Sequence, residues 1–161
     1  SSDVCSSDLK ELEHAVSYLS IQNVRFQDKF TFTVDWDEKL ADCLCPKLVI
    51  QPLLENAVYH GMEGMYEDGE IQLKIYAVNE LVHIDVIDNG EGMTEAQVQK
   101  MMQGDVVSSK RGSGIGVKNV NDRIKLYFGE AYGVQIISAP DEGTTARIYF
   151  PMRRQEDETE K

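Results

Sequence analysis

Residues 81–93 read Leu-Val-His-Ile-Asp-Val-Ile-Asp-Asn-Gly-Glu-Gly-Met, and the reading of this stretch decides the fold. Val82, Ile84 and Val86 alternate with their neighbours, the period of a strand with one buried face. The strand runs straight into Asp88-Asn89-Gly90-Glu91-Gly92-Met93. Asp-Asn-Gly is strong turn chemistry, so a plain turn is one reading. A site is the other. A carboxylate held at a strand end, with glycines two and four residues on, accepts hydrogen bonds and can read an exocyclic amine. Just upstream, Ile71, Leu73, Ile75 and Ala77 alternate in the same way. The short joint at 78–80 makes the two runs an antiparallel hairpin.

Working outward, Phe30 to Trp36 (FTFTVDW) is a further β-rich, alternating run. Pro46 is expected to open a helix, on which Ile50, Leu53, Leu54, Ala57, Val58 and Gly61 share one face. Asn56 and His60, four residues apart, fall on the rim of the opposite face. Ahead of them, Leu9, Leu12, Val16, Leu19, Asn23 and Phe26 follow spacings of 3, 4, 3, 4 and 3. That stripe fits a helix packed on its own domain, or equally the end of a dimerising helix. After the hairpin, Thr94 and Gln97 form a capping box for TEAQVQKMM. A polar stretch follows. Then Gly112, Gly114 and Gly116 open a helix that Gly129 stops. Two closing strands, about 134–138 and 145–150, flank a turn at 140–143. Helices and strands are mixed rather than strictly alternating. The expected class is therefore α/β, a two-layer sandwich with a mixed, largely antiparallel sheet and one helical layer, rather than a doubly wound sheet.

Composition narrows the chemistry. The 161 residues carry 16 Lys plus Arg against 28 Asp plus Glu, a net charge of −12. Such a body repels nucleic acid and anionic membranes, so neither is an expected partner. An anion must be held locally. No apolar run approaches the ~18 residues of a membrane span, and no secretory signal pattern opens the chain. Cys5, Cys43 and Cys45 lack zinc or redox spacing and read as reduced cytosolic thiols. Residues 1–8, with a repeated Ser-Ser-Asp, are set aside from the fold as an added or frayed leader. Residues 153–161 read as a charged tail.

Two further motifs can carry function. Glycines at the start of the helix in GSGIGVKNVNDR (112–123) let backbone N–H groups approach a phosphate, and the helix dipole adds attraction. A loop needing positive φ explains them equally well. No Gly-Lys-[Ser/Thr] follows, so this is not a P-loop. The Asn56 amide can offer an oxygen to a hard cation such as Mg²⁺, or simply face solvent.

Taken in order, these motifs resemble the GHKL ATPase superfamily and its Bergerat nucleotide-binding fold. QPLLENAVYHG (51–61), DNGEGM (88–93), GSGIGVKNVNDR and GTTARIYFP (143–151) resemble the sensor histidine kinases, closest to their LytS/YesM-like subfamily. The resemblance covers about residues 9–151. It implies 9–28 as a helix continuing from a dimerisation region, 29–152 as the ATPase domain, and 94–111 as an ATP lid. It implies that Asn56 coordinates Mg²⁺ and Asp88 binds the adenine amine. Gly90 and Gly92 would pass close to the base, with Met93 beside them. Gly112, Gly114 and Gly116, with Ile115, would hinge the lid and wrap the phosphates. Asn119 would reach a phosphate, His60 would line the site, and Thr145 would lie behind the adenine.

The implied cofactors are ATP and Mg²⁺. The implied partners are ATP/ADP, histidine-bearing dimerisation helices of a homodimer, and a response regulator. The implied setting is the cytoplasmic domain of a membrane-anchored bacterial kinase. Lys110, Arg111, Lys118 and Arg123 are the candidate phosphate cations. Two departures from the family pattern stand out. Pro52 occupies the position of the hydrolytic glutamate, so free ATP hydrolysis should be slow. Tyr59 replaces a frequent lysine. The acceptor motif Pro-His-Phe-x-Phe-Asn is absent, and neither His14 nor His83 stands in its place, so no residue here is the phosphoryl acceptor. A serine kinase of the same fold that binds a sigma factor, and a non-catalytic nucleotide-sensing or dimerisation module, are the alternatives.

Overall fold

The hairpin expected around residues 71–86 forms the middle of the sheet. The structure, a computed structural model, describes residues 5–25, 30–61, 68–104 and 115–154. In chain order the strands are β1 (Cys5–Ser7), β2 (Phe30–Trp36), β3 (Leu44–Pro46), β4 (Gly69–Val78), β5 (Leu81–Asp88), β6 (Gly133–Ser138) and β7 (Thr144–Pro151). The helices are α1 (Asp8–Arg25), α2 (Ile50–Asn56), α3 (Glu95–Met102) and α4 (Ile115–Phe128). Strands β4 and β5 pair from Ile71↔Asp88 to Val78↔Leu81. Asn79 and Glu80 join them with φ of 49° and 67°. Two positive φ values give the turn a twist that matches the sheet.

The main sheet has the order β2-β4-β5-β7-β6. Only β2–β4 is parallel; the other three pairings are antiparallel. The expected mixed, largely antiparallel sheet is present. One face carries the core. Val82, Ile84 and Val86 of β5 and Ala146, Ile148 and Phe150 of β7 are buried, together with Leu19, Leu53, Leu54, Val120 and Ile124 of the helices. Each buried Val, Leu, Ile or Phe among these contributes about 1.5–3 kcal/mol of hydrophobic stabilisation. The other face is polar. Arg147 donates to Asp85 through Nε (2.9 Å) and Nη2 (3.1 Å), and Tyr76 donates its hydroxyl to the same carboxylate at 2.7 Å.

Four expectations need correction. First, Pro46 does not open α2. It ends β3, and Leu48 at φ 61° turns the chain before the helix begins at Ile50. Pro52 lies in the first turn, where a missing N–H costs no intrahelical bond. Second, the stripe on α1 is rotated. Leu12, Ala15, Leu19 and Gln22 are buried, whereas Leu9 is 38% exposed. Phe26 lies outside the described residues. The helix packs on its own domain. Third, the leader is not wholly outside the fold. Cys5–Ser7 pairs with β3, and Asp8 is buried, with its N–H on the Cys43 carbonyl at 2.9 Å. The tail reading likewise gives way at its start. The Leu44 N–H donates to the Arg153 carbonyl, and Cys43 bridges Arg154. Cys43 and Cys45 are buried. No helix among the described residues is long and apolar enough to cross a membrane.

Candidate functional site

Asp88 is the last residue of β5 and is only 6% exposed. The strand places it on the helical face, with Val82, Ile84 and Val86. Its carboxylate accepts the Gly90 N–H at 2.9 Å. Burial pushes its pKa up to about 6, opposed by backbone hydrogen bonds from Gly90 and Thr144. The carboxylate is therefore mostly ionised at neutral pH, and two backbone donors leave lone pairs available to a further donor.

The turn reading of DNGEGM is satisfied, and the turn is built into a larger unit. Asn89 fastens the segment to the start of β4: its Oδ1 accepts the Glu70 N–H at 2.7 Å and its Nδ2 donates to the Asp68 carbonyl at 2.9 Å. Met93, also buried, donates its N–H to Ser138 Oγ at 2.8 Å. Ser138 donates onward to the Gly143 carbonyl at 2.9 Å and lies 2.8 Å from Thr144 Oγ1. The Asp141 N–H donates to the Glu91 carbonyl at 2.6 Å. The loop after β5 and the β6–β7 turn thus form one hydrogen-bonded unit.

Gly92 and Gly143 are required by this contact. Both have positive φ, 70° and 74°. A Cβ on Gly92 would collide with the Ala139 carbonyl, and one on Gly143 with the Asp88 carbonyl. Gly90 is buried in the same unit.

The register of β7 puts the two threonines of the GTT motif on different faces. Thr144 pairs with Asp88 and is buried on the same face. Thr145 pairs with Ile87 and lies on the opposite face, with Arg147. Thr144, not Thr145, stands beside the carboxylate. Ser138, Gly143 and Thr144 are the residues that sequence reading missed. Gly143 and Thr144 lay within the quoted GTT motif and needed only the strand parity. Nothing local in the sequence singled out Ser138.

Asn56 also differs from expectation. It is the final residue of α2 and is 8% exposed, not on a solvent-facing rim. The helix then widens into a π turn, Ala57–Gly61. Such turns are frequent at functional sites. α2 packs on α4 and on β5. At the α2–α4 contact a Cβ added to Gly116 would stand 3.4 Å from the Pro52 Cβ, an ordinary contact, so packing against α2 does not by itself demand glycine there.

Ile115 and Asn119 are exposed on α4. The side chain of His60 and all of Gly112, Gly114, Lys110 and Arg111 lie outside the described residues. So does much of the expected lid, 105–111, although the capping box that begins it is present. Of the remaining cations, Lys118 pairs with Asp122 and Arg123 donates to the Lys47 carbonyl at 2.7 Å. A cavity of about 210 Å³ at the end of the sheet is lined by Asp88, Ser138, Gly143 and Thr144 together with Ile87 and Thr145 of the other strand face. A larger one of about 580 Å³ lies across the open face of the sheet against Lys74, Asp85 and Arg147, away from the Asp88 carboxylate.

A buried acceptor at a strand end, a loop with Gly92 at positive φ after it, a buried asparagine on a neighbouring helix and a helix with Gly116 in its first turn are now in place. Residues 42–154 match the family described as histidine kinase-, DNA gyrase B- and HSP90-like ATPases. The chain belongs to this ATPase family. Among its relatives, sensor histidine kinase YesM of Bacillus subtilis is 38% identical over 138 residues, covering 86% of this chain and 22% of YesM. Sensor protein LytS of Bacillus anthracis is 32% identical over 149 residues, covering 92% of this chain and 25% of LytS. The chain thus spans about a quarter of the length of these curated relatives. Among solved structures, the mycobacterial sensor histidine kinase MprB matches with a TM-score of 0.69 at 15% identity, over 94% of this chain and 98% of that one. Histidine kinase ThkA in complex with response regulator TrrA gives 0.65 at 15% identity, over 92% of this chain and 41% of that one. At that identity the likeness is one of fold, and it is the two-layer ATPase fold expected from the sequence.

Proposed function

We propose that the chain is the ATP-binding catalytic domain of a two-component sensor histidine kinase. It would bind ATP and present the γ-phosphate to a histidine outside this chain, for relay to a response regulator. The observation that carries the reading is Asp88. A carboxylate this buried, braced by the Gly90 N–H, is suited to accept the exocyclic amine of adenine. The glycines beside it keep that edge of the site free of side chains.

Mg²⁺ fits the residues present. Among the described residues no group of three or more His, Cys, Asp or Glu could hold a metal ion. Mg²⁺ does not need one, since it usually keeps waters and takes one or two protein oxygens plus substrate phosphates. The Asn56 amide oxygen is the candidate ligand. Bound there, the ion would neutralise phosphate charge in a molecule whose own charge is −12. The rest is positioning and exclusion of water, the main demands of phosphoryl transfer. Pro52 offers no base to activate water, which suits a transferase with slow free hydrolysis.

The proposed partners are histidine-bearing helices of the same protein in a homodimer, and a response regulator; the response regulator is supported by the ThkA structure, which holds TrrA. The proposed placement is the cytoplasmic part of a membrane sensor. Among the described histidines, His14 is exposed on α1 and His83 lies on the open face of the sheet, with ring centroids 5.2 Å from Tyr76 and 6.4 Å from Tyr149. Neither lies on the Asp88 face.

Calorimetric titration with ATP and ADP, with and without Mg²⁺, tests the reading. Mg²⁺-dependent binding is expected, and Asp88→Asn should weaken it by about 1.5–3 kcal/mol through loss of a charge-assisted hydrogen bond. Unchanged affinity in a folded variant would remove Asp88 from the adenine pocket. No binding by the folded wild-type chain would overturn the function.

A further inference from the structure

Three residues stand in one row across the sheet, at the strand end that carries Asp88. Asp88 of β5 pairs with Thr144 of β7, and Thr144 pairs with Ser138 of β6. Cross-strand partners share a face, so the three side chains lie together on the helical side. All three also line the cavity of about 210 Å³ at the end of the sheet.

The Ser138 hydroxyl has three partners. It accepts the Met93 N–H at 2.8 Å, donates to the Gly143 carbonyl at 2.9 Å and lies 2.8 Å from Thr144 Oγ1. A hydroxyl owns one proton and two lone pairs. A carbonyl oxygen only accepts, so the one proton goes to Gly143. The Met93 N–H takes one lone pair. The contact with Thr144 is then satisfied in one way: Thr144 donates its proton to the remaining lone pair of Ser138. The Thr144 oxygen is left with lone pairs alone to offer. Beside it, the ionised Asp88 carboxylate also only accepts.

We propose that Ser138 is a positioning residue for base selection: it fixes the direction of the Thr144 hydroxyl, so that the Asp88–Thr144 row favours a purine with an amine at position 6 over one with a carbonyl there. The proposal rests on the nucleotide-binding reading above. An amine has two hydrogens to give to this row. A carbonyl oxygen has none and would meet two acceptors without a donor, which burial makes costly. Ser138 acts through Thr144. Without the serine hydroxyl, Thr144 loses its acceptor. Its proton is then free to turn toward the cavity, and the row gains a donor that a carbonyl at position 6 can use.

The test is titration of the whole chain, in Mg²⁺, with ATP and with inosine triphosphate, which carries a carbonyl in place of the 6-amine. Wild type, Ser138→Ala, Thr144→Val and the double variant are compared. Wild type is expected to prefer ATP. Ser138→Ala loosens the joint between Met93 and Gly143 and weakens both nucleotides, but the preference for ATP should fall about three- to tenfold. Thr144→Val removes the second acceptor with Ser138 untouched and should lower the preference as well, which keeps the proposal testable where Ser138→Ala does not fold. In the Thr144→Val background there is no hydroxyl to turn, so adding Ser138→Ala should leave the preference where it is. A preference unmoved in either single variant, or an equal further fall in the double one, would overturn the proposal. The Asp88→Asn control separates the two readings. If wild type binds ATP and Asp88→Asn does not, an unmoved preference sinks only the role of Ser138. If wild type binds neither nucleotide, the nucleotide reading falls and this one with it.

Discussion

Burial raises the Asp88 pKa from 3.8 to about 6, and the direction of two effects follows. The folded state holds the proton more tightly than the unfolded chain. The contribution of this group to stability is therefore full below about pH 4 and lost as pH rises through about 6. Asp8, pushed up to about 7 by its own burial, acts in the same sense over a slightly higher window. Nucleotide binding runs the other way, because the amine of adenine needs the ionised acceptor. ATP affinity should fall by up to about tenfold between pH 7 and pH 5, and the slope should vanish in Asp88→Asn. A wild-type affinity flat over that range would mean that the carboxylate does not hold the base. The placement of Asp88 at a strand end before a glycine loop was legible because strand, acid and glycines are contiguous. Which threonine shares its face was not, because a strand repeats every two residues. A shift of one residue, from Thr144 to Thr145, moves a side chain to the other face of the sheet.

At the scale of elements, signals borne by local chemistry held. Thr94 Oγ1 accepts the Gln97 N–H at 3.2 Å, and Gln97 Oε1 accepts the Thr94 N–H at 2.8 Å. Thr94→Ala should lower stability by about 1 kcal/mol, read as a shift of the denaturation midpoint with unchanged slope. No shift would mean that α3 does not depend on its cap. Gly129 follows α4 at φ 119°, as a helix stop should. Elements set by tertiary contact were not legible. Pro46 and Pro52 both suit a helix start, and only the turn at Leu48 chooses between them. The π turn after Asn56 has no marker in its own residues. The stripe on α1 had the right period, but Val16 and Leu19 permit several rotations, and packing against α2 and the sheet selected the one that buries Ala15 and Gln22.

Across the whole molecule, the charge of −12 opposes the approach of an anionic nucleotide. Most surface fields speed association of their ligands at low salt; this one should slow it. Raising ionic strength from about 0.02 to 0.2 M shortens the screening length several-fold, so the association rate of MgATP should rise about two- to fivefold. Stopped-flow measurement with a fluorescent ATP analogue would show it. A rate that falls with salt would mean that local cations, Lys110 and Arg111 foremost, outweigh the global field.

The union of the loop after β5 with the β6–β7 turn joins residues about fifty positions apart in sequence. Contacts of that separation form only after long stretches of chain have been closed into loops, and they form late. During synthesis, Asp88 emerges well before Ser138, Gly143 and Thr144 exist to complete its seat. A nascent or prematurely terminated chain therefore carries the acidic residue and the glycines without the pocket. Competence to hold a nucleotide thereby doubles as a report that translation has reached β7.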